Sequence, residues 1–103
     1  MKLDILKLLQ KVTLIPLTKN QNVITCKDNE GTKYYCFYSY QTLIAIYSEC
    51  ELLVSRNYWD YSKTTMKWFN YFLNKYTSFY FVPEGFKHNF TKAIMANDKI
   101  TQF

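Results

Sequence analysis

The sequence predicts an α+β fold: an antiparallel sheet of about four or five strands with one helix, residues 62–76, packed on one face. Three observations predict it. Between residues 12 and 58, short apolar runs rich in β-branched and aromatic residues alternate with turn residues. From Ser62 the apolar period changes to that of a helix. The whole chain is 103 residues, 49% hydrophobic and 19% aromatic, which suits one domain (residues 1–103) with one modest core and opposes disorder.

Each element has its own reason. "MKLDILKLLQKV" reads as a short amphipathic N-terminal helix. Ile5, Leu6, Leu8 and Leu9 lie on one side, and Asp4, Lys7, Gln10 and Lys11 on the other. Asp4 and Lys7 break it too early for a signal peptide. "VTLIPL" reads as a strand whose Pro16 marks an edge or an end. Residues 23–27 and 32–38 then form a hairpin around "DNEG", where Asp28, Asn29 and Gly31 supply the turn chemistry.

"TLIAIY" and "ELLVSRNY" make two further strands joined by a tight "SEC" turn. Strict alternation puts Ile44 and Ile46 on one face, and Leu43, Ala45 and Tyr47 on the other. Both faces are apolar, so each needs some cover. The helix follows, with Ser62 as N-cap, Asp60 as its competitor, and Thr64 and Thr65 in the first turn.

On a helical wheel Met66, Phe69, Phe72, Leu73 and Tyr76 share one arc, the core face. Lys67, Tyr71 and Lys75 point the opposite way, with Trp68 at the boundary. The C-terminal tail is mixed. "SFYFV" reads as a strand stopped by Pro83. Phe86, Phe90, Ala93 and Ile94 then recur at helical spacing, although Gly85 weakens a helix start there.

Chemistry is scarce. The two glycines are isolated, so no phosphate loop exists, and no acidic pair invites a hydrolase reading. Glu49 and Glu51 flank a turn, and His88 has no nucleophile beside it. Cys26, Cys36 and Cys50 are odd in number and lack metal spacing, which points to free thiols in a reducing, intracellular setting. The expectation is therefore no enzyme, no catalytic residue, no cofactor and no metal. No run reaches the roughly 20 apolar residues that a membrane span needs, so no membrane partner is expected.

The formal charge is +5, and of the 13 basic residues only Arg56 is arginine. Base and phosphate readers favour the planar fork of arginine, so this balance is a weak nucleic-acid signal. If nucleic acid binds directly, Arg56, Lys63, Lys67 and Lys75 are the phosphate contacts. Rings interleaved with lysines also suit a protein interface, which makes Lys67, Trp68, Tyr71 and Lys75 the partner-binding candidates. Phe79, Tyr80, Phe81, Phe86 and Phe90 exceed what one helix and a small sheet can bury, so the tail is expected to contribute to that contact, with completion of the core as the competing explanation.

Two segments carry a resemblance. "SYQTLIAIY", residues 39–47, and "NYWDYSKTTMKWFNYFL", residues 57–73, resemble a family of short uncharacterised bacteriophage and prophage proteins. Its marks are a Ser-Tyr-x-Thr-x-Ile/Val-Ala segment and a Trp/Tyr-x-x-Tyr-Ser-x-Thr-Thr helix start, followed by a basic residue and a Phe-Leu end. The likeness covers about the middle third of the chain and leaves out both ends. Members often carry a histidine near the position of Trp68, which this chain lacks. The resemblance implies no reaction. It implies a small binding protein of the bacterial host's cytoplasm, an inhibitor or modulator docking on a host protein or nucleoprotein enzyme, with anti-defence among the roles. A direct nucleic-acid-binding module is the alternative.

Overall fold

The computed structural model describes residues 10–103. The expected N-terminal helix lies outside the described residues, except that Gln10 and Lys11 belong to the first strand. Five strands follow one another: β1 (Gln10–Thr18), β2 (Gln21–Lys27), β3 (Lys33–Ser39), β4 (Thr42–Ser48) and β5 (Glu51–Val54). Two helices come next, α1 (Lys63–Tyr76) and α2 (Phe86–Ala96), and a short last strand, β6 (Ile100–Gln102), closes the chain. The six strands form one sheet in chain order, antiparallel except for the parallel pair β5 and β6. A parallel pair needs a long crossover, and the two helices supply it.

Turn chemistry sets the meander. Asp28 Oδ1 accepts the Glu30 and Thr32 N–H groups at 2.9 and 3.0 Å, and Gly31 takes φ 88° to close the β2–β3 turn. The next two hairpins have two-residue turns, Tyr40–Gln41 and Glu49–Cys50, with all four residues at positive φ. That geometry matches the strand twist, and it strains side chains that are neither Gly nor Asn.

α1 starts where expected. Ser62 is extended, and its Oγ accepts the Thr65 N–H at 3.0 Å. Thr65 Oγ1 in turn shares a buried 2.9 Å hydrogen bond with Ser39 Oγ, which ties the cap to β3. The inner face then buries Phe69, Phe72 and Leu73 on the sheet, with the Phe37 ring stacked 6.1 Å from Phe69 and 5.5 Å from Phe72. Met66 and Tyr76 pack at the margin of this core.

Four details depart from the sequence expectation. The sheet has six strands, because three residues after α2 return to pair with β5. "SFYFV" is not a strand. The Asn74 side chain takes the Phe81 N–H and C=O, each at 2.9 Å, so side chains satisfy backbone groups that a ladder would otherwise hold. The strand expected over residues 51–58 stops at Val54, where Ser55 C=O accepts from Tyr58 and Trp59 and tucks Trp59 into the core at 4% exposure. Finally, Phe37 pairs with Ala45 and Tyr38 with Leu43, which leaves Ile44 as an extra residue. This bulge turns Ile44 and Ala45 both into the core, while Ile46 faces away.

Both helices pack on one face of the sheet. On the other, Leu14, Ile24, Cys36, Ile46 and Leu53 form a cross-strand apolar row, exposed at Leu14 and Leu53 and half-buried between them. No helix among the described residues is long and apolar enough to cross a membrane.

Candidate functional site

The outward face of α1 carries the site. Residues four apart on a helix are neighbours, so Lys67, Tyr71 and Lys75 stand in one line. Lys75 Nζ donates to Tyr71 Oη at 3.0 Å and lies 5.4 Å from its ring centroid. The hydrogen bond to Tyr71 is the main cause of a Lys75 pKa above the ordinary lysine value. Trp68 packs edge-on against Tyr71 at 5.4 Å, and Lys67 Nζ sits 5.6 Å from the indole. Tyr71 is 39% exposed, whereas Trp68 is half-buried against the margin of the core.

This ridge separates two clefts. The smaller, about 380 Å³, is walled by Trp68, Tyr71 and Lys75 on one side and by Ile15, Pro16 and Leu17 of β1 on the other. As the edge strand, β1 tolerates Pro16, which has no N–H to offer a ladder. The larger cleft, about 960 Å³, lies between α1 and the first turn of α2.

The four partner-binding candidates, Lys67, Trp68, Tyr71 and Lys75, therefore meet at one place. The nucleic-acid set does not. Lys63 lies one turn before Lys67, on the larger cleft, but Arg56 sits in the turn after β5 and lines neither cleft. The tail rings are the clearest correction. Phe86 and Phe90 are buried, Phe79 and Phe81 pack against the core, and Tyr80 alone of the five stays open at 72%. Phe86 and Phe90 close on Phe69 and Trp59, with Phe90 at 5.1 and 4.9 Å, Phe81 packs on both, and Phe79 lies against Tyr47, so four of the five tail rings go to the core.

Reactive side chains are dispersed. Burial pushes the Cys36 thiol up to about 11, with the nearby Cys26 adding to the effect. Cys26 is also raised, mainly by burial, and Cys50 is exposed in its turn. Asp60 lies 3.8 Å from Lys87 in a solvent-exposed ion pair. His88 is exposed on α2, at the larger cleft. Among the described residues no three His, Cys, Asp or Glu side chains converge as a metal site would require.

Sequence reasoning missed the β1 wall and the α2 wall, because both come from elements distant in the chain. One signal was legible: Lys63, Met66, Lys67, Asn70, Tyr71 and Asn74 follow a strict three-and-four spacing along one helix face.

Fold and site together define a small α+β domain with a helix-backed sheet and a cleft on either side of its main helix. The chain belongs to DUF8033, a family of unknown function, whose model matches residues 12–89. That span runs from β1 into the first turn of α2, so it contains both walls of each cleft. No curated protein matches the chain, and neither does any solved structure.

Proposed function

We propose that this protein is a non-catalytic binding protein that docks on a protein or nucleoprotein partner through Lys67, Trp68, Tyr71 and Lys75. One observation carries the reading. The exposed ring of Tyr71 is already held in place, by Lys75 on one side and Trp68 on the other. An anchor ordered before contact loses little side-chain freedom on binding, and aromatic anchors contribute most of an interface's energy. The inhibitor or modulator role implied by the phage-type resemblance, anti-defence included, belongs to the same proposal, as does the host cytoplasm as its location.

Direct nucleic-acid binding is the second reading. Lys63 and Lys75 lie twelve positions apart on α1 with Lys67 between them, about 18 Å of helix, which is a workable track for phosphates. The dispersed position of Arg56 weighs against it.

The test is capture from a bacterial lysate with and without nuclease, repeated with Trp68→Ala and Tyr71→Ala. Each variant is expected to weaken capture about tenfold or more; Tyr71→Ala should melt near the parent, and Trp68→Ala, whose ring packs on the core margin, should melt lower yet cooperatively. Retention of the partner by both variants would remove this surface from the argument. Capture that disappears with nuclease and falls steeply with salt would move the assignment to nucleic acid.

A further inference from the structure

The larger cleft holds features that the docking ridge does not use. Its floor is apolar, made by half-buried Met66 and buried Phe86. In its α1 wall Asn70 is only 6% exposed, and its Oδ1 has no hydrogen-bond partner among the described residues. A buried amide left unpaired is costly and rare, and a ligand would relieve it. Rotation of the amide exchanges its oxygen and nitrogen, so the group can offer either an acceptor or a donor.

The opposite wall is the first turn of α2. Its N-cap is Gly85, which has no side chain to bond the N–H groups of Lys87 and His88, and the first turn contains no acidic residue. Such a terminus attracts anions. Lys63, Lys67, Lys87 and His88 ring the same cleft. Lys87 pairs with Asp60 at 3.8 Å, and the exposure of that pair makes it weak.

We infer that this cleft binds an acidic segment of a protein partner, with its carboxylates at the α2 N-terminus, an apolar side chain on Met66 and Phe86, and a backbone amide paired to Asn70. The cleft follows α1 from Lys63 to Asn74, eleven positions apart or about 16 Å. Five residues of extended chain, at about 3.3 Å each, match that length. Charge complementarity selects an acidic segment. The apolar floor favours a peptide over nucleic acid, whose phosphates would gain nothing from Met66 and Phe86. This inference rests on the reading of the protein as a docking module and adds the chemistry of its partner.

Fluorescence anisotropy with purified protein tests it. The probe is a labelled synthetic peptide alternating Asp or Glu with Leu or Phe. Its comparators are a twin with lysines replacing the acids and a single-stranded oligonucleotide. The acidic peptide should bind, and the twin should not. Asn70→Leu, close to the native shape, and the surface change Lys87→Glu should each weaken binding about tenfold, with thermal melts confirming that both fold. Tyr80→Ala, on an open ring that lines neither cleft, should leave peptide affinity unchanged.

Absence of binding, equal binding of the twin, or displacement of the peptide by the oligonucleotide would each overturn the inference. So would wild-type affinity in both cleft variants. The two readings fail separately. If the peptide does not bind while Trp68→Ala still loses the captured partner, the docking ridge stands and this cleft falls. If the peptide binds and the Trp68 and Tyr71 variants keep the partner, the ridge falls and the cleft stands.

Discussion

The inner stripe of α1, Phe69 and Phe72, and its outer stripe, Trp68 and Tyr71, are built from side chains of similar size on adjacent positions. Phe69 and Phe72 are 0% exposed beneath rings from β3 and, for Phe69, from α2, while Tyr71 keeps 39% of its surface open between two lysines. The tail repeats the contrast: Phe86 and Phe90 are buried, and Tyr80 is open. Ring content alone therefore says little about a surface. What matters is whether another element reaches that side of the helix.

Breaking the inner stripe should have the largest effect. Phe69→Ala removes a ring touched by Phe37, Trp59, Phe86 and Phe90, and should cost about 3–5 kcal/mol. That is a large share of a small domain's stability. Urea unfolding measures it, and a loss similar to that of Tyr71→Ala would erase the distinction between the stripes. Tyr71→Ala should cost under about 1 kcal/mol, as a surface substitution does.

Ser62→Ala should fall between them, at about 1–2 kcal/mol, because it removes the N-cap bond and a donor to Thr65 Oγ1. A loss of only a few tenths would mean that the Ser39–Thr65 bond holds the helix start without its cap.

The smallest effect concerns the cysteines. Iodoacetamide at mildly alkaline pH should modify exposed Cys50 first, well before Cys26 and Cys36, whose thiols burial raises. Burial raises the folded pKa of Cys36 from 9.0 to about 11, so the fold favours the protonated thiol. That contribution to stability is complete below pH 9.0 and is lost as the pH rises through about 11. Rapid modification of Cys36 at mildly alkaline pH would show that the row between Ile24 and Ile46 is more open than its packing indicates.

Much of this molecule is local in origin, and the chain shows it. The β2–β3 turn needs only Asp28 and Gly31. The start of α1 needs only Ser62 and Thr65, and the two stripes of α1 follow from a period of 3.6. The four ridge residues were legible for the same reason, since one helix presents them all.

What the tertiary structure decided involves residues far apart in sequence. The pairing of β6 with β5 is a three-residue contact across two helices, too short to leave a pattern. The bulge at Ile44 reverses an alternation that looked regular, because register belongs to the strand pair and not to either strand alone. "SFYFV" has strand propensity, yet Asn74 takes its backbone bonds and β6 occupies the place beside β5. The tail's phenylalanines became core because α2 folds back over Phe69. Each cleft, too, exists only where a distant element supplies the second wall. Side-chain period is written along a chain, but burial depends on what comes to cover it.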